Sequence, residues 1–90
     1  MTIAHHKGEL LRADNDVLEY RYFPDHVMAP GLSGVFRVRP GDWSVENVLP
    51  ARAEDQGLRS DDSCIGALLH KLKRAYVPGT PPPDTLWFIA

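Results

Sequence analysis

Ninety residues are too few to divide between two hydrophobic cores, so the chain is one domain with a small core. Its 43% hydrophobic and 24% charged residues are ordinary globular values, and a formal charge of −2, from ten Lys and Arg against twelve Asp and Glu, lacks the basic excess that drives sequence-independent nucleic-acid binding. A single cysteine, Cys64, excludes an internal disulfide and a Cys-based zinc cluster, and with no signal-peptide core and no run near the roughly 20 apolar residues that span a bilayer, the expected setting is the reduced cytoplasm.

Residues 7 to 23 read as a hairpin. Gly8 to Ala13 is the first arm and Val17 to Phe23 the second, joined by Asp14-Asn15-Asp16, residue types that tolerate the positive φ of tight turns. Leu18, Tyr20 and Tyr22 alternate with Glu19 and Arg21, the period of a strand with one buried face. The first arm alternates poorly, which fits an edge strand or a loosely attached segment, and residues 1–6 before it are open to flexibility. Pro24 to Gly34 holds two prolines and two glycines and is a long loop. Its Val27, Met28 and Leu32 either tuck onto the core or form a contact surface, and the rarity of exposed apolar patches favours tucking back.

Val35 to Arg39 is a strand with Phe36 and Val38 facing in. Arg37 and Arg39 face out, where pairing with Glu19 or Glu46 across the sheet is expected. Pro40-Gly41 fits the centre of a type II turn, glycine supplying the positive φ. The return arm runs from Trp43 to Leu49, with Trp43, Val45 and Leu49 inward and Asn47 breaking the apolar face. Ala51 to Arg59 is a polar connection with room for one helical turn.

Ser60 then caps a helix, with Asp61 and Asp62 at the positive end of its dipole. At about 100° per residue, Ile65, Leu68, Leu69, Leu72 and Tyr76 form one stripe. Lys71, Lys73 and Arg74 crowd the last turns, where cations complement the dipole, and Pro78-Gly79 closes the helix. Pro81-Pro82-Pro83 is an extended strut. It delivers Thr85-Leu86-Trp87-Phe88-Ile89, apolar on both faces, the pattern of an interior strand covered on each side.

The expected fold is α+β, one small domain of order β-β-β-β-α-β: a four- to five-stranded, mainly antiparallel sheet with one helix of the C-terminal third packed on one face. One helix covers one face. The other apolar face of the last strand therefore needs the loop, the first arm or another protein chain.

Catalytic chemistry is thinly supported. Cys64 lies near a helix N-terminus, where a thiol pKa is lowered. His70, six positions on, lies about 120° around the axis and roughly 9 Å along it, too far to serve as a base. Only His5, His6 or His26 could, and nothing in the sequence brings them there, so a small buried side chain is the default for Cys64. His5 and His6 diverge on a strand or a helix, and no HxH or HxxxH spacing follows. Asp14 and Asp16 begin a calcium-loop pattern without its glycine or glutamate. Gly31-Leu32-Ser33-Gly34-Val35 puts valine where a nucleophile elbow needs glycine. No cofactor or metal is expected.

These readings point to a small cytoplasmic protein–protein interaction module rather than an enzyme, an immunity-like or inhibitor-like protein or accessory subunit of bacterial or phage type. A homo-oligomeric subunit is the alternative, and a small enzyme using Cys64 or His26 stands behind both. The expected contact residues are Val27, Met28, Leu32, Trp43, Trp87 and Ile89, with neither nucleic acid nor membrane as partner.

Overall fold

Alternation in the strands and one amphipathic helix generate the elements β1 (His5–Ala13), β2 (Leu18–Phe23), β3 (Gly34–Arg39), β4 (Ser44–Leu49), α1 (Asp61–Ala75) and β5 (Thr85–Ile89). The computed structural model describes residues 4–14 and 16–90. The sheet order is β4-β3-β2-β1-β5 with every neighbouring pair antiparallel. The first four strands form a meander, and α1 carries the chain across one face to the opposite edge. This is the expected α+β fold with a five-stranded sheet.

Two strand roles differ from expectation. The first arm is an interior strand, paired with β2 on one side and β5 on the other. Its pattern is obscured because Gly8 contributes no side chain where Leu68 and Leu86 approach, and because the register shifts between Leu10 and Arg12. Residues 4 to 6 are correspondingly anchored: Ala4 and Ala90 exchange backbone hydrogen bonds of 2.8 and 3.0 Å, and His5 and His6 pair with Ile89 and Phe88. Residues 1–3 lie outside the described residues, as does Asn15 of the expected first turn. Conversely β5 is an edge strand, not an interior one. Leu86 is buried on the helix side, while Trp87 and Ile89 are exposed on the other.

The core lies between α1 and one sheet face. Leu18, Tyr20 and Tyr22, Phe36 and Val38, and Leu86 meet Cys64, Ile65, Leu68 and Leu72, all buried. At Gly34 a Cβ would collide with the Tyr22 ring and the Leu49 carbonyl, so only glycine lets β3 pass here. The buried hydroxyls are satisfied. Tyr20 donates to the Pro83 carbonyl at 2.7 Å, tying the proline strut to the sheet, and Tyr22 donates to Asn47 Oδ1 at 2.8 Å. Asn47, which interrupts the apolar face of β4, is thus the partner of a buried tyrosine.

The β3–β4 connection is not the expected type II turn. Gly41 does not take positive φ; Trp43 does, at 58°, and its N–H donates to the Arg39 carbonyl at 2.7 Å. The reversal is one residue longer, and β4 begins at Ser44. Trp43 leans on the core with the Lys73 ammonium 5.6 Å from its ring. Val45 and Leu49 are exposed rather than inward. Val45 sits at the sheet edge, and the irregularity opposite Val35 and Phe36 turns Leu49 to the helix-free face beside Val35.

Asp61 fixes the start of the crossover. Its buried carboxylate accepts the Arg52 N–H at 2.9 Å and the Ala53 N–H at 3.0 Å, holding a short 3-10 turn, Ala53–Gln56, against the helix. Burial pushes this carboxyl up, but the Ala53 and Arg52 amides, with Tyr22 and Asn47, outweigh it and hold it below the usual carboxylate range. Ser60 caps α1 as expected, accepting the Ser63 N–H at 3.2 Å.

The loop after β2 is pinned at Asp25. Its N–H donates to His6 Nδ1 at 3.1 Å, and its carboxylate meets Arg59 Nη1 at 3.2 Å. Leu32 tucks onto the core, but Val27 and Met28 stay exposed. Burial lowers the His6 pKa, as do Arg59 and His5, while Asp25 opposes them. The neutral ring keeps Nδ1 as an acceptor.

Asp61→Asn, which turns an acceptor oxygen into a donor facing backbone amides, is expected to lower the unfolding free energy by about 1–3 kcal/mol, read as a lower urea midpoint at unchanged slope. Asp62→Asn in the same turn is expected to stay within about 0.5 kcal/mol. For His6, the unfolded chain takes up its proton near pH 6.5 and the folded chain only at lower pH. Its contribution is therefore complete above pH 6.5 and declines as pH falls from there toward the depressed folded value. Urea midpoints across this window should fall with pH, and His6→Gln should flatten the decline.

Candidate functional site

The sheet face opposite α1 carries no buried side chain among the described residues. The strand period places His5, Lys7 and Glu9 of β1, Glu19, Arg21 and Phe23 of β2, and Thr85, Trp87 and Ile89 of β5 on this face, together with Arg37 and Glu46. It divides into two zones of different chemistry.

In the first zone charges alternate from strand to strand. Arg12 Nε lies 3.4 Å from Glu19, Arg37 Nη2 lies 2.7 Å from Glu19, and Arg37 Nη1 lies 3.4 Å from Glu46. The expected pairing of Arg37 with Glu19 and Glu46 is formed. Pairs on a solvated sheet face add little stability; these tie β1, β2, β3 and β4 together across the face and compensate one another's charge.

The second zone is aromatic. Lys7 pairs across the strands with Phe23 on one side and Trp87 on the other, and its ammonium stands 5.6 Å from the Phe23 ring and 5.2 Å from the Trp87 ring. His5 and His26 meet Trp87 edge-on at 6.0 and 5.9 Å, and His26 meets Phe23 at 6.0 Å. The His26 backbone N–H donates to the His5 carbonyl at 2.7 Å, which brings the loop ring to the strand rings. His26 Nδ1 is buried with no hydrogen-bond partner among the described residues. Trp87 and Ile89 remain 44% and 60% exposed, so the zone offers apolar and ring surface that the described residues leave wet.

The structure brings together Trp87, Ile89 and His26 of the residues singled out in the sequence. Val27 and Met28 lie next along the loop, both exposed, and Met28 joins Asp25, Gly57, Leu58 and Arg59 around a shallow cavity of about 340 Å³. Leu32 and Trp43 instead lean on the core and are not part of this surface. His5, Lys7 and Phe23 were missed. The signal for His5 and Lys7 is the alternation His5-Lys7-Glu9, readable only once β1 is known to extend back to His5, and Phe23 ends the outward row Glu19-Arg21-Phe23 of β2.

Cys64 is fully buried on the helix side, where burial, with Asp25 and Asp61, pushes its thiol well above the usual range. His26 packs with rings of the opposite sheet face, so the two do not share a site. Among the described residues no cluster of His, Cys, Asp and Glu could hold a metal ion, and no helix is long and apolar enough to cross a membrane.

The arrangement can bind by burial of rings around a partly desolvated ammonium. Comparisons with protein-family models, curated proteins and solved structures find no match for this chain.

Proposed function

We propose that this chain is a protein-interaction module, an inhibitor or accessory subunit in type, that docks a protein partner on the helix-free sheet face. The observation that supports this reading is the exposure of Trp87 and Ile89 beside Phe23, His5 and His26, on a face over which the described residues place no second layer. Aromatic residues held in place by neighbours are the usual anchors of protein interfaces, because large rings bury much area with little loss of side-chain freedom. The ring cluster holds Trp87 in advance, so less order must be imposed on binding. A reducing cytoplasm suits the single buried thiol.

The neighbouring ion ladder fits the rim of such an interface. Arg12, Glu19, Arg37 and Glu46 are paired with one another, so a partner crossing them meets charges already partly compensated. Lys7, packed between rings and 3.9 Å from Glu9, supplies a positive point inside the aromatic zone. A partner surface with an acidic or carbonyl group at that point is favoured.

Affinity capture from native extract tests the reading when the wild-type chain is compared with Trp87→Lys/Ile89→Lys. Loss of anchors of this kind is worth about 2 kcal/mol or more, so a protein retained by the wild type should be reduced at least tenfold on the variant. Val77→Lys, at an exposed apolar position elsewhere, should retain it. Equal retention by the wild type and the Trp87/Ile89 variant, with both folded by thermal melting, would count against the proposal.

A further inference from the structure

The two edges of the sheet are built differently. β4 carries Glu46, has a register irregularity against β3 and is followed directly by Pro50, all features that discourage addition of a further strand. β5 has neither charge nor proline and pairs with β1 in unbroken register from Thr85 to Ile89. Its inner side is fixed by the Ala4–Ala90 bonds and by the Leu10 N–H donating to the Asp84 carbonyl at 2.8 Å. In an antiparallel ladder the backbone groups of alternate residues point to opposite sides. Leu86 and Phe88 therefore face β1, and the amides and carbonyls of Thr85, Trp87 and Ile89 face outward.

We propose that this edge is completed by β5 of a second copy of the chain, antiparallel about a two-fold axis at Trp87. In that register Thr85 faces the partner's Ile89, Trp87 faces the partner's Trp87, and Ile89 faces the partner's Thr85. Every outward amide and carbonyl of those residues then gains a ladder bond. Side chains match on both faces, since Leu86 lies opposite the partner's Phe88 on the helix side. The strand is uncharged, so the two-fold brings no like charges of β5 together. An arbitrary strand would have to be apolar on both faces and free of charge to fit as well; a second β5 meets each requirement. The axis runs perpendicular to the sheet, so both helices fall on one side and both aromatic zones merge on the other. The backbone edge borders the docking face and shares Trp87 and Ile89 with it, but the inference stands on the open ladder and does not rest on the function proposed above.

The test combines sedimentation of the purified chain over a concentration series with amide hydrogen exchange. A five-residue strand gives a small interface, and association in the micromolar range or weaker is expected for small interfaces. With rising concentration the chain should pass from monomer to dimer, and the Thr85, Trp87 and Ile89 amides should become protected. The Leu86 and Phe88 amides should be protected throughout. Thr85→Pro removes one outward N–H and leaves the β1 ladder whole; it should raise the dimer Kd at least tenfold, with an unchanged melting temperature at concentrations where both chains are monomers. A strict monomer overturns the proposal. So does a dimer whose outward amides exchange as fast as in the monomer, or protection that arises only when a different protein is added. The exchange pattern decides even if Thr85→Pro fails to fold.

Discussion

One carboxylate holds the crossover from which the rest of the molecule follows. The chain must leave β4 at one edge of the sheet, lay a helix across the face and return as β5 at the other edge. The segment between β4 and α1 has few apolar residues to anchor it. Asp61 supplies the anchor by accepting the amides of Arg52 and Ala53, close to Asn47 and through it to Tyr22. A buried carboxylate is tolerated because several donors converge on it, and the same convergence sets where the helix begins. From that point the spacing of Ile65, Leu68 and Leu72 fixes the helix face, and the Tyr20–Pro83 bond fixes where the strut hands the chain to β5.

The parts of this fold that could be read in the sequence are those where one local rule acts alone. The alternation of Leu18, Tyr20 and Tyr22 and the capped stripe of α1 are such cases, and both match their expected roles. Reading failed where a tertiary requirement replaced a local one. Gly8 and the irregularity near Leu11 hide an interior strand, because a missing side chain and a slipped register both erase alternation. Pro40-Gly41 suggested a tight turn, yet the left-handed residue is Trp43, held by packing on the core. Asn47 looked like a fault in an apolar face and is the half-buried hydrogen-bond partner of the buried Tyr22.

The candidate site was half visible for a related reason. Trp87 and Ile89 stood out because β5 is apolar on both faces, but that pattern alone does not say whether the second face is covered by the same chain. Their neighbours come from strands whose register the sequence did not reveal. Lys7 lies beside Trp87 only because β1 pairs with the last strand of the chain, and His26 only because its loop is tied back to His5. The surface is a product of topology, with one loop histidine and three strands contributing to it.

That topology also orders assembly in time. β1 through β4 pair with sequence neighbours and can form as soon as they meet, whereas the contact of His5 with Ile89 spans nearly the whole chain. Long-range pairing of this kind is slow, because a large loop must close before any contact repays it. Until β5 arrives, β1 is itself a bare edge with open backbone groups, at a stage when the helix has not yet been drawn across the sheet. A chain stalled there would be most prone to pair with its neighbours through β1, the strand that the finished fold keeps inside.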